Sequence, residues 1–393
     1  MFENNIKYRK DFLMFGSPSI EKPEIEEVMD SLKNGWIGTG PKVARFEEEF
    51  KKYKDVSNCV AVNSCTAALH LSMISLNLQS GDEVITTPMT FCATINAIIH
   101  VGATPVLVDI DPITMNIDPN QIEAKITSKT KAILPVHFAG RPCEMDQICN
   151  LAKKHDLTII EDCAHAIESE YHGQKIGTFG DFGCFSFYVT KNVITGEGGM
   201  VIAKNERDAS RIKTLALHGM NKDAWKRFSD EGFKHYHVKE AGFKYNMMDI
   251  QAAIGIHQLK RVDKYWILRK QIWERYNAVF SKLPIILPAE VDSNTRHAYH
   301  LYTILIDKRE SKINRDEFIN AMHSRNIGTG VHYMSMPEHP YYQKKFGWIP
   351  NDYPNAMKIG QQTVSLPLSP KLEEDDVEDV INSVRDVFSS TKS

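Results

Sequence analysis

The chain of 393 residues has only seven cysteines, and no two of them have the C-x-x-C spacing. A small, odd number of thiols without that spacing excludes a disulfide scaffold and disfavours a structural zinc site or a dithiol redox centre. We therefore expect reduced thiols, a cytoplasmic location and no bound metal.

Long hydrophobic runs are also missing. No stretch approaches the roughly 18 apolar residues that a membrane span requires, and the first residues lack the basic start and apolar run of a signal peptide. Charge of one sign is not in excess either, because 47 Lys and Arg stand against 50 Asp and Glu, a net charge of −3. A general nucleic-acid binder would need a strongly basic face. We expect a soluble intracellular protein with no membrane or nucleic-acid partner.

Short apolar, β-branched runs alternate with helical stretches from about residue 58 to residue 205. Strands that alternate with helices form a mostly parallel sheet with helices on both faces, so we predict an α/β fold. Ligands of such sheets bind outside the carboxyl ends of the strands. The predicted strands are 58–62, 83–87, 104–110, 132–137, 157–161, 183–188 and 200–203, and the predicted helices between them are 66–77, 91–100 and 144–155.

The pattern of the chain changes near residue 263. At this length a second domain is expected, because a single core stops growing at about 250–300 residues. We predict a large domain over 1–262, which includes the N-terminal segment, and a smaller C-terminal α+β domain over 263–393. Its predicted elements are a helix at 264–280, a strand at 298–306 and helices at 315–325 and 373–388. In the large domain we also predict helices at 19–34 and 43–54, a loop at 35–41, and a helical region at 206–262 with a polar loop near 221–240.

Lys191 follows one of the apolar strands and precedes the glycine-rich turn 196–199. A lysine in such a place forms a Schiff base if desolvation lowers its pKa. The alternative is a solvated lysine at the end of a strand, which is the more common case.

An acid pair, Glu161 and Asp162, follows another apolar strand. One of the two carboxylates can keep a pyridine nitrogen protonated, which lets the ring accept electrons. Asp162 and His165 have i, i+3 spacing and can instead cap a helix. A metal site is a weaker alternative, because no third ligand is near in sequence.

Residues 63–70 pass from a strand into a helix. The free backbone N–H groups of that helix start, together with the hydroxyls of Ser64 and Thr66, can bind a phosphate, or they can form an ordinary N-cap. Phe91 follows another strand and can stack on a planar ring or pack in the core.

These features lie at the carboxyl ends of one predicted sheet. Together they provide what pyridoxal phosphate requires: a lysine for the Schiff base, a partner for the ring nitrogen, a phosphate site and a stacking face. A nicotinamide dehydrogenase is disfavoured, because the chain contains no Gly-x-Gly-x-x-Gly motif.

On these residues the sequence resembles the pyridoxal-phosphate-dependent sugar aminotransferases of the DegT/DnrJ/EryC1/StrS family, which have fold type I. The resemblance covers nearly the whole chain. It runs through 35–41, 63–70, 81–87, 102–111, 135–140, 161–166, 185–199, 242–255, 328–333 and 365–367. Within the family the chain looks closest to the UDP-4-amino-4-deoxy-L-arabinose–oxoglutarate aminotransferase branch, through 217–219, 223–224, 245–246 and 328–332.

The resemblance implies a role for each site residue. Lys191 is implied as the Schiff-base lysine and proton shuttle, and Asp162 as the partner of the ring nitrogen. The implied cofactor-binding residues are Cys65, Thr66, Phe91, Asp162, His165, Ser186, Lys191 and Asn246. Cys65 replaces a small residue that is frequent in the family, and Phe91 stands where the nearest branch more often has Trp.

The resemblance further implies a homodimer, because Asn246 is expected to reach the cofactor phosphate of the neighbouring subunit. Thr39 and His332 are implied to line the sugar pocket, whereas His297 and His300 are equally well explained as structural. The implied reaction is a transamination of the EC 2.6.1 type in amino-sugar or polysaccharide biosynthesis.

Glutamate is the implied amino donor and leaves as 2-oxoglutarate, and a nucleotide-linked keto-sugar, with a 4-keto sugar favoured, is the implied acceptor. Three alternatives remain open. The first is a nucleotide-sugar 3-aminotransferase. The second is a dehydratase of the same family, which would have a histidine in place of Lys191. The third is a non-catalytic relative with the same fold.

Overall fold

The computed structural model of the chain describes residues 9–220 and 236–390. Most of the polar loop predicted near 221–240, and the 223–224 motif, lie outside the described residues. Among the described residues, no helix combines the length and the hydropathy that a membrane crossing requires.

A seven-stranded sheet forms the centre of the described chain, in the order β1-β9-β8-β5-β4-β2-β3. Strand β9 runs antiparallel to both of its neighbours, and the remaining strands are parallel to one another. The prediction of a mostly parallel α/β sheet is confirmed. The strands are β1 (Cys59–Val62), β2 (Glu83–Thr86), β3 (Thr104–Leu107), β4 (Thr130–Ile133), β5 (Thr158–Asp162), β8 (Phe182–Ser186) and β9 (Gly199–Ala203).

Helices cover both faces of this sheet and enclose one apolar core on each side. Successive side chains of a strand point to opposite faces, so Ile159 belongs to one core and Ile160 to the other. The helices of this region are α1 (Lys22–Asn34), α2 (Pro41–Lys54), α3 (Cys65–Ser75), α4 (Cys92–His100), α5 (Pro119–Ile122), α6 (Met145–His155), α7 (Glu206–Leu215) and α8 (Asp249–Lys260), and a short hairpin is made by β6 (Glu170–Tyr171) and β7 (Gln174–Lys175).

The second part of the chain surrounds a third apolar core, which includes Tyr302, Phe318 and Val380. Leu13 also packs in this core, so the N-terminal segment contacts the C-terminal part of the chain. The boundary between 262 and 263 stays a prediction. The elements are α9 (Val262–Phe280), the antiparallel pair β10 (Tyr302–Leu305) and β11 (Thr363–Leu366), α10 (Lys308–Ser311), α11 (Arg315–His323), α12 (Pro340–Phe346), α13 (Pro354–Gln362) and α14 (Glu374–Ser390).

Several predicted strands are shorter than expected; those predicted to reach residues 110 and 137 end at Leu107 and Ile133. The strand predicted at 298–306 is paired only from residue 302, because the backbone N–H groups of Ala298 and His300 donate to Gly140 O and Ala139 O instead. The strand predicted to reach Tyr188 ends at Ser186. Lys191 therefore lies in the turn between β8 and β9 rather than at the end of a strand.

Candidate active site

The carboxylate of Asp162 is at the carboxyl end of β5 and is almost fully buried. Its Oδ2 accepts a hydrogen bond from Thr94 Oγ1 at 2.8 Å, and its Oδ1 accepts from the backbone N–H of Ala164 at 3.1 Å. Burial raises the pKa of Asp162, and these two hydrogen bonds oppose that rise. The predicted position of Asp162 at a strand end is therefore correct, and the side chain is held in one orientation.

The amine of Lys191 lies close to this carboxylate without touching it. In the described part of the chain, Lys191 Nζ makes no hydrogen bond or ion pair, although the charge of Asp162 influences its pKa. Part of the side chain is accessible to solvent, but desolvation by the surrounding protein lowers the pKa of Lys191 to about 8. At pH 7.5 such an amine is neutral in about a quarter of the molecules, against about one in a thousand for an ordinary lysine.

The start of helix α3 lies beside the same two groups. Ser64 is the N-cap, and its side chain accepts from the N–H of Ala67 at 3.1 Å. The N–H groups of Cys65 and Thr66 have no hydrogen-bond partner among the described residues. The first turn of a helix with free N–H groups attracts anions, so this end of α3 can bind a phosphate.

Because residue 199 is glycine, strand β9 and the hydroxyl of the neighbouring Ser186 come close to the start of α3. A Cβ on Gly199 would lie 2.5 Å from Ser64 C and 2.7 Å from Cys65 N, so only glycine allows β9 to approach the helix this closely. Gly199 pairs with Ser186 on the neighbouring strand, and Cys65 Sγ lies 3.6 Å from Cys184 O. Cys65, Thr66 and Ser186, three of the residues implied to bind the cofactor, are therefore brought together around the end of β8 and the start of β9.

The imidazole of His165 is buried and has a defined tautomer. Its Nδ1 accepts from the N–H of Ala139 at 3.2 Å, so the proton of the neutral ring is on Nε2, which lies 3.1 Å from Tyr333 Oη. Burial and the nearby charge of Lys191 place the pKa of His165 well below its ordinary value. Tyr333 Oη accepts the hydrogen bond from this N–H, so its own O–H can donate to another acceptor.

Phe91 is not part of the core. It is the residue before helix α4, and 58% of its surface is exposed. Its ring centroid lies 6.1 Å from that of Tyr333, which itself contacts His165. The ring of Phe91 is therefore available for stacking at the edge of the site, and the alternative of core packing is wrong.

Thr39 and Asn246, which were predicted for different roles, contact each other in one chain. Asn246 Nδ2 donates to Thr39 Oγ1 at 2.6 Å, and Thr39 Oγ1 donates to Met247 O at 2.5 Å. The buried carboxylate of Asp249 accepts from the N–H groups that begin helix α2, those of Gly40, Lys42 and Val43, and so fixes the 35–41 loop. Asn246 Oδ1 is buried and has no partner within the described residues.

Two histidines from the C-terminal part of the chain complete the surroundings of Lys191. His332 Nδ1 lies 2.8 Å from Ser365 Oγ, and burial lowers the pKa of His332 to about 4, with a contribution from Lys191. The ring of His300 contacts that of His165, with 4.5 Å between the ring centroids and an angle of 38° between the ring planes. The sequence offered no reason to prefer a site role for His300 or Tyr333, although the motif around residues 328–333 pointed to this region.

The second carboxylate of the acid pair, Glu161, faces the other core. It accepts from the N–H groups of Gly177, Phe179 and Gly180 at 2.8–2.9 Å and from His137 Nε2 at 3.1 Å. His137, Glu161 and Cys163 are close enough to share a metal ion. His137 Nδ1 already accepts from a backbone N–H, however, so its Nε2 carries the proton. The geometry is that of a closed structural hydrogen-bond network.

The residues around Lys191 fit the cofactor predicted from the sequence. A neutral-prone amine without a partner, a fixed carboxylate and a helix start with free N–H groups are the protein groups that pyridoxal phosphate requires. This fit depends on their convergence at the ends of β5, β8 and β1, which was only inferred from the sequence.

Comparisons with known proteins give an independent result. The family model described as the DegT/DnrJ/EryC1/StrS aminotransferase family matches residues 18–385. The spore coat polysaccharide biosynthesis protein SpsC of Bacillus subtilis is 48% identical over 383 residues, which is 97% of this chain and 98% of that protein.

Solved structures agree with this result. The putative sugar aminotransferase Spr1654 of Streptococcus pneumoniae, in its PMP form, has a TM-score of 0.90 at 34% identity and covers 96% of this chain and 99% of its own. Helicobacter pylori PseC, an aminotransferase involved in the biosynthesis of pseudoaminic acid, has a TM-score of 0.89 at 29% identity, with coverages of 97% and 100%.

Proposed function

Because the chain belongs to the DegT/DnrJ/EryC1/StrS aminotransferase family and is a pyridoxal-phosphate-dependent sugar aminotransferase of fold type I, we propose that it moves the amino group of glutamate to a nucleotide-linked keto-sugar. The observation that supports the site assignment most directly is the unpaired amine of Lys191 beside Asp162 and the start of α3. A 4-keto sugar is the proposed acceptor, and a 3-keto sugar is the alternative.

The cofactor supplies an aldehyde that condenses with amines and a pyridinium ring that accepts electrons. In the proposed mechanism Lys191 holds the cofactor and then, once released, carries a proton. A base must be neutral to accept a proton, and the pKa of about 8 gives Lys191 a usable neutral fraction near neutral pH. No other lysine is needed for this step.

Asp162 is proposed to hold the proton on the ring nitrogen. Its carboxylate oxygens receive hydrogen bonds from Thr94 and Ala164, and this fixed geometry lets one oxygen face a cationic N–H without reorganisation. Burial raises the pKa of Asp162 in the free protein. A cation opposite the carboxylate lowers that pKa again, so the pair forms as charged partners.

The phosphate is proposed to bind to the N–H groups of Cys65 and Thr66 and to the hydroxyls of Thr66 and Ser186. His165 is proposed to lie near the phenolic oxygen. Because its Nε2–H donates a hydrogen bond to Tyr333 Oη, Tyr333 rather than His165 can donate a further hydrogen bond on this side. Phe91 is proposed to stack on the exposed face of the ring.

The sugar is proposed to bind between the 35–41 loop and His332. Both are partly accessible, and both are fixed: the loop by Asp249 and His332 by Ser365. This half of the site supplies neutral groups, because the pKa of His332 is about 4. Hydroxyl groups of a sugar match such donors and acceptors well.

A homodimer is part of the proposal. Helix α1 exposes Ile25, Met29 and Leu32, which lie on one face at i, i+4 and i+7, next to exposed Trp36 and Ile37. A cluster of exposed large apolar side chains is typical of an interface. A second copy would cover this face and bring its own loop 35–41 and Asn246 to the seam between the subunits.

The test is a panel of keto-sugar nucleotides with UDP, dTDP and GDP, each incubated with ¹⁵N-glutamate and the loaded enzyme. Mass spectrometry detects ¹⁵N in the sugar, and NMR of the product shows whether C3 or C4 carries it. Transfer to C4 supports the proposal, and transfer to C3 supports the alternative. Loss of water without incorporation of ¹⁵N would identify a dehydratase and contradict the proposal. The Lys191→Ala variant is the control.

The product is proposed to enter polysaccharide biosynthesis. SpsC, which is similar over nearly the whole length of both chains, is described as a spore coat polysaccharide biosynthesis protein. An amino-sugar on a nucleotide is an activated donor, so the next reaction class is a glycosyl transfer or an N-acylation. The preceding reaction must oxidise a sugar carbon to a ketone.

A further inference from the structure

Asn192, the residue after Lys191, connects three separate segments of the chain with one side chain. Its Nδ2 donates to Glu168 Oε2 at 2.8 Å and to Ala298 O at 3.0 Å. Its Oδ1 lies 2.9 Å from His300 Nδ1. The turn that carries Lys191 is thus tied both to the large region and to the segment that begins the C-terminal sheet.

The orientation of the Asn192 amide determines the tautomer of His300. Both amide protons go to oxygen acceptors, so Oδ1 is the acceptor for His300 and the proton of that imidazole is on Nδ1. Nε2 of His300 then has a lone pair. Burial and the charge of Lys191 hold the pKa of His300 well below its ordinary value, so the ring stays neutral.

The backbone around Gly140 keeps His300 against His165. Gly140 has φ +96°, and a Cβ there would lie 2.9 Å from the Cβ of Ala298 and 3.0 Å from His165 O. The backbone N–H of His300 donates to the carbonyl oxygen of Ala139. The backbone N–H of Ala139 in turn donates to His165 Nδ1. The two neighbouring imidazoles therefore have complementary tautomers, Nε2–H in His165 and Nδ1–H in His300.

Behind Asn192 lies a buried ion pair. Glu168 is 2% exposed and Arg269 1% exposed, and Arg269 Nη2 contacts Glu168 Oε1. Burial raises the pKa of Glu168, whereas Arg269 and the hydrogen bond from Asn192 lower it. An ion pair enclosed in this way is rigid, because neither partner can move without losing a hydrogen bond in a low-dielectric environment.

We propose that Asn192 is a positioning residue for the Lys191 amine, which it holds in place by anchoring the turn to the Glu168–Arg269 ion pair and by fixing His300 beside His165. This inference rests on the proposed function, since it takes Lys191 as the working amine. Asn192 acts only through these neighbours and is not a catalytic residue.

The same anchor keeps Lys191 desolvated. Without the Asn192 side chain, the turn loses its hydrogen bonds to Glu168, Ala298 and His300. The amine of Lys191 can then move towards water. A lysine that becomes solvated returns towards its ordinary pKa. The titratable groups that face Lys191 are Asp162, Cys65, His165, His300 and His332.

The test measures the pKa of Lys191 in the cofactor-free protein. Pulses of isotopic acetic anhydride at a series of pH values, followed by peptide mass spectrometry, give the reactivity of Lys191 against pH. In Asn192→Ala the apparent pKa is expected to rise from about 8 by about one unit, because desolvation is the main cause of its low value. Asn192→Ser places a shorter polar group at this position and is expected to give a smaller rise.

Asn277→Ala is the matched control. Asn277 is also partly buried and hydrogen-bonded, to Tyr302 Oη at 2.7 Å, but it lies in the C-terminal core. This variant should leave the pKa of Lys191 unchanged. An unchanged pKa in both Asn192 variants, whatever their melting temperatures, would overturn the proposal and leave Asn192 with a structural role only.

The readout needs no cofactor and no sugar, so it separates this inference from the proposed function. A shifted pKa in the Asn192 variants supports the positioning role even if the keto-sugar panel gives no product. In the loaded enzyme, a positioning role predicts that Asn192→Ala lowers kcat by a larger factor than it raises KM for glutamate. Equal effects on both parameters would contradict it.

Discussion

Two clusters, each with a lysine, a histidine, a carboxylate and a cysteine, lie around strand β5. The first contains Lys54, His137, Glu161 and Cys163, and the second contains Lys191, His165, Asp162 and Cys65. In both clusters the lysine has a pKa of about 8 because burial desolvates it. The pKa of the lysine therefore does not distinguish the two clusters.

The clusters differ in their hydrogen bonds. Lys54 Nζ donates to Ile167 O at 2.9 Å and lies 4.7 Å from the centroid of the Phe185 ring, and Glu161 receives hydrogen bonds from three backbone N–H groups and a histidine. Lys191 Nζ has no partner among the described residues. A ligand site is therefore indicated by buried groups whose hydrogen-bonding capacity is unused, rather than by burial itself.

The largest difference between the two clusters is expected when their lysines are substituted. Lys191→Ala should lower the transaminase rate by about 10³-fold or more, because the variant loses the proton-carrying amine. Lys54→Met should keep a rate close to that of the wild type. Steady-state rates with glutamate and the accepted keto-sugar check both variants, and unchanged circular dichroism shows that each remains folded. Similar losses in both would show that the two clusters are not functionally different.

Substitution of Asp162 should affect mainly the rate, whereas substitution of Glu161 should affect mainly the stability. Asp162→Asn removes a charge from the site and should lower the rate by about 10²-fold with little change in melting temperature. Glu161→Gln places an amide against backbone N–H donors and should reduce the free energy of unfolding by about 3 kcal/mol. Activity assays and thermal melts of both variants test the pair. A stable, active Glu161→Gln protein would contradict the structural assignment of Glu161.

The low pKa of Lys54 predicts a specific pH dependence of the stability of the protein. The pKa of Lys54 is about 8 in the folded protein and about 10.5 when unfolded, so between these values the unfolded state binds more protons and stability rises with pH. Lys54→Met removes this dependence. At pH 7 the Lys54→Met protein should be more stable than the wild type by up to about 3 kcal/mol, reduced by the loss of the hydrogen bond to Ile167 O. Near pH 10.5 this difference in stability should be much smaller.

This difference is measured as the gap between the denaturation midpoints of wild type and Lys54→Met at several pH values. A gap that stays constant with pH would show that the pKa of Lys54 is not depressed. The same series with Lys191→Met in the cofactor-free protein should show the same trend, because its pKa is also about 8.

The smallest effect is expected for the aromatic rings. Phe91→Leu should weaken cofactor binding by up to about tenfold, since a stacked ring contributes about 0.5–1.5 kcal/mol, and should leave the melting temperature of the cofactor-free protein unchanged because Phe91 is 58% exposed. Phe185→Leu, in the buried ring next to Lys54, should lower stability instead. Cofactor titrations and thermal melts separate the two outcomes.

Much of the cofactor half of the site was predictable from the sequence. Parallel strands bring residues that follow them to one edge of the sheet, so Asp162 and the start of α3 could be located by counting strands. The period of two in a strand also places Glu161 and Asp162 on opposite faces. The strand pattern alone could not say which face carries the site, because that depends on Thr94 and on the packing of α4; the family resemblance selected Asp162.

The other contacts of the site were not predictable for a physical reason. Asn192 and His300 are 108 residues apart, as a result of how the C-terminal part of the chain packs on Gly140. Tyr333 reaches His165 across 168 residues. Such contacts depend on the packing of whole elements, and no local pattern of residues encodes them.

The most direct measurement is borohydride reduction of the protein loaded with pyridoxal phosphate, followed by peptide mapping of the fixed cofactor. One pyridoxyl group is expected on the peptide that contains Lys191, and none on the peptide that contains Lys54, although both amines have a pKa of about 8. A label on Lys54, or on any lysine other than Lys191, would contradict the assignment of Lys191 as the lysine that holds the cofactor.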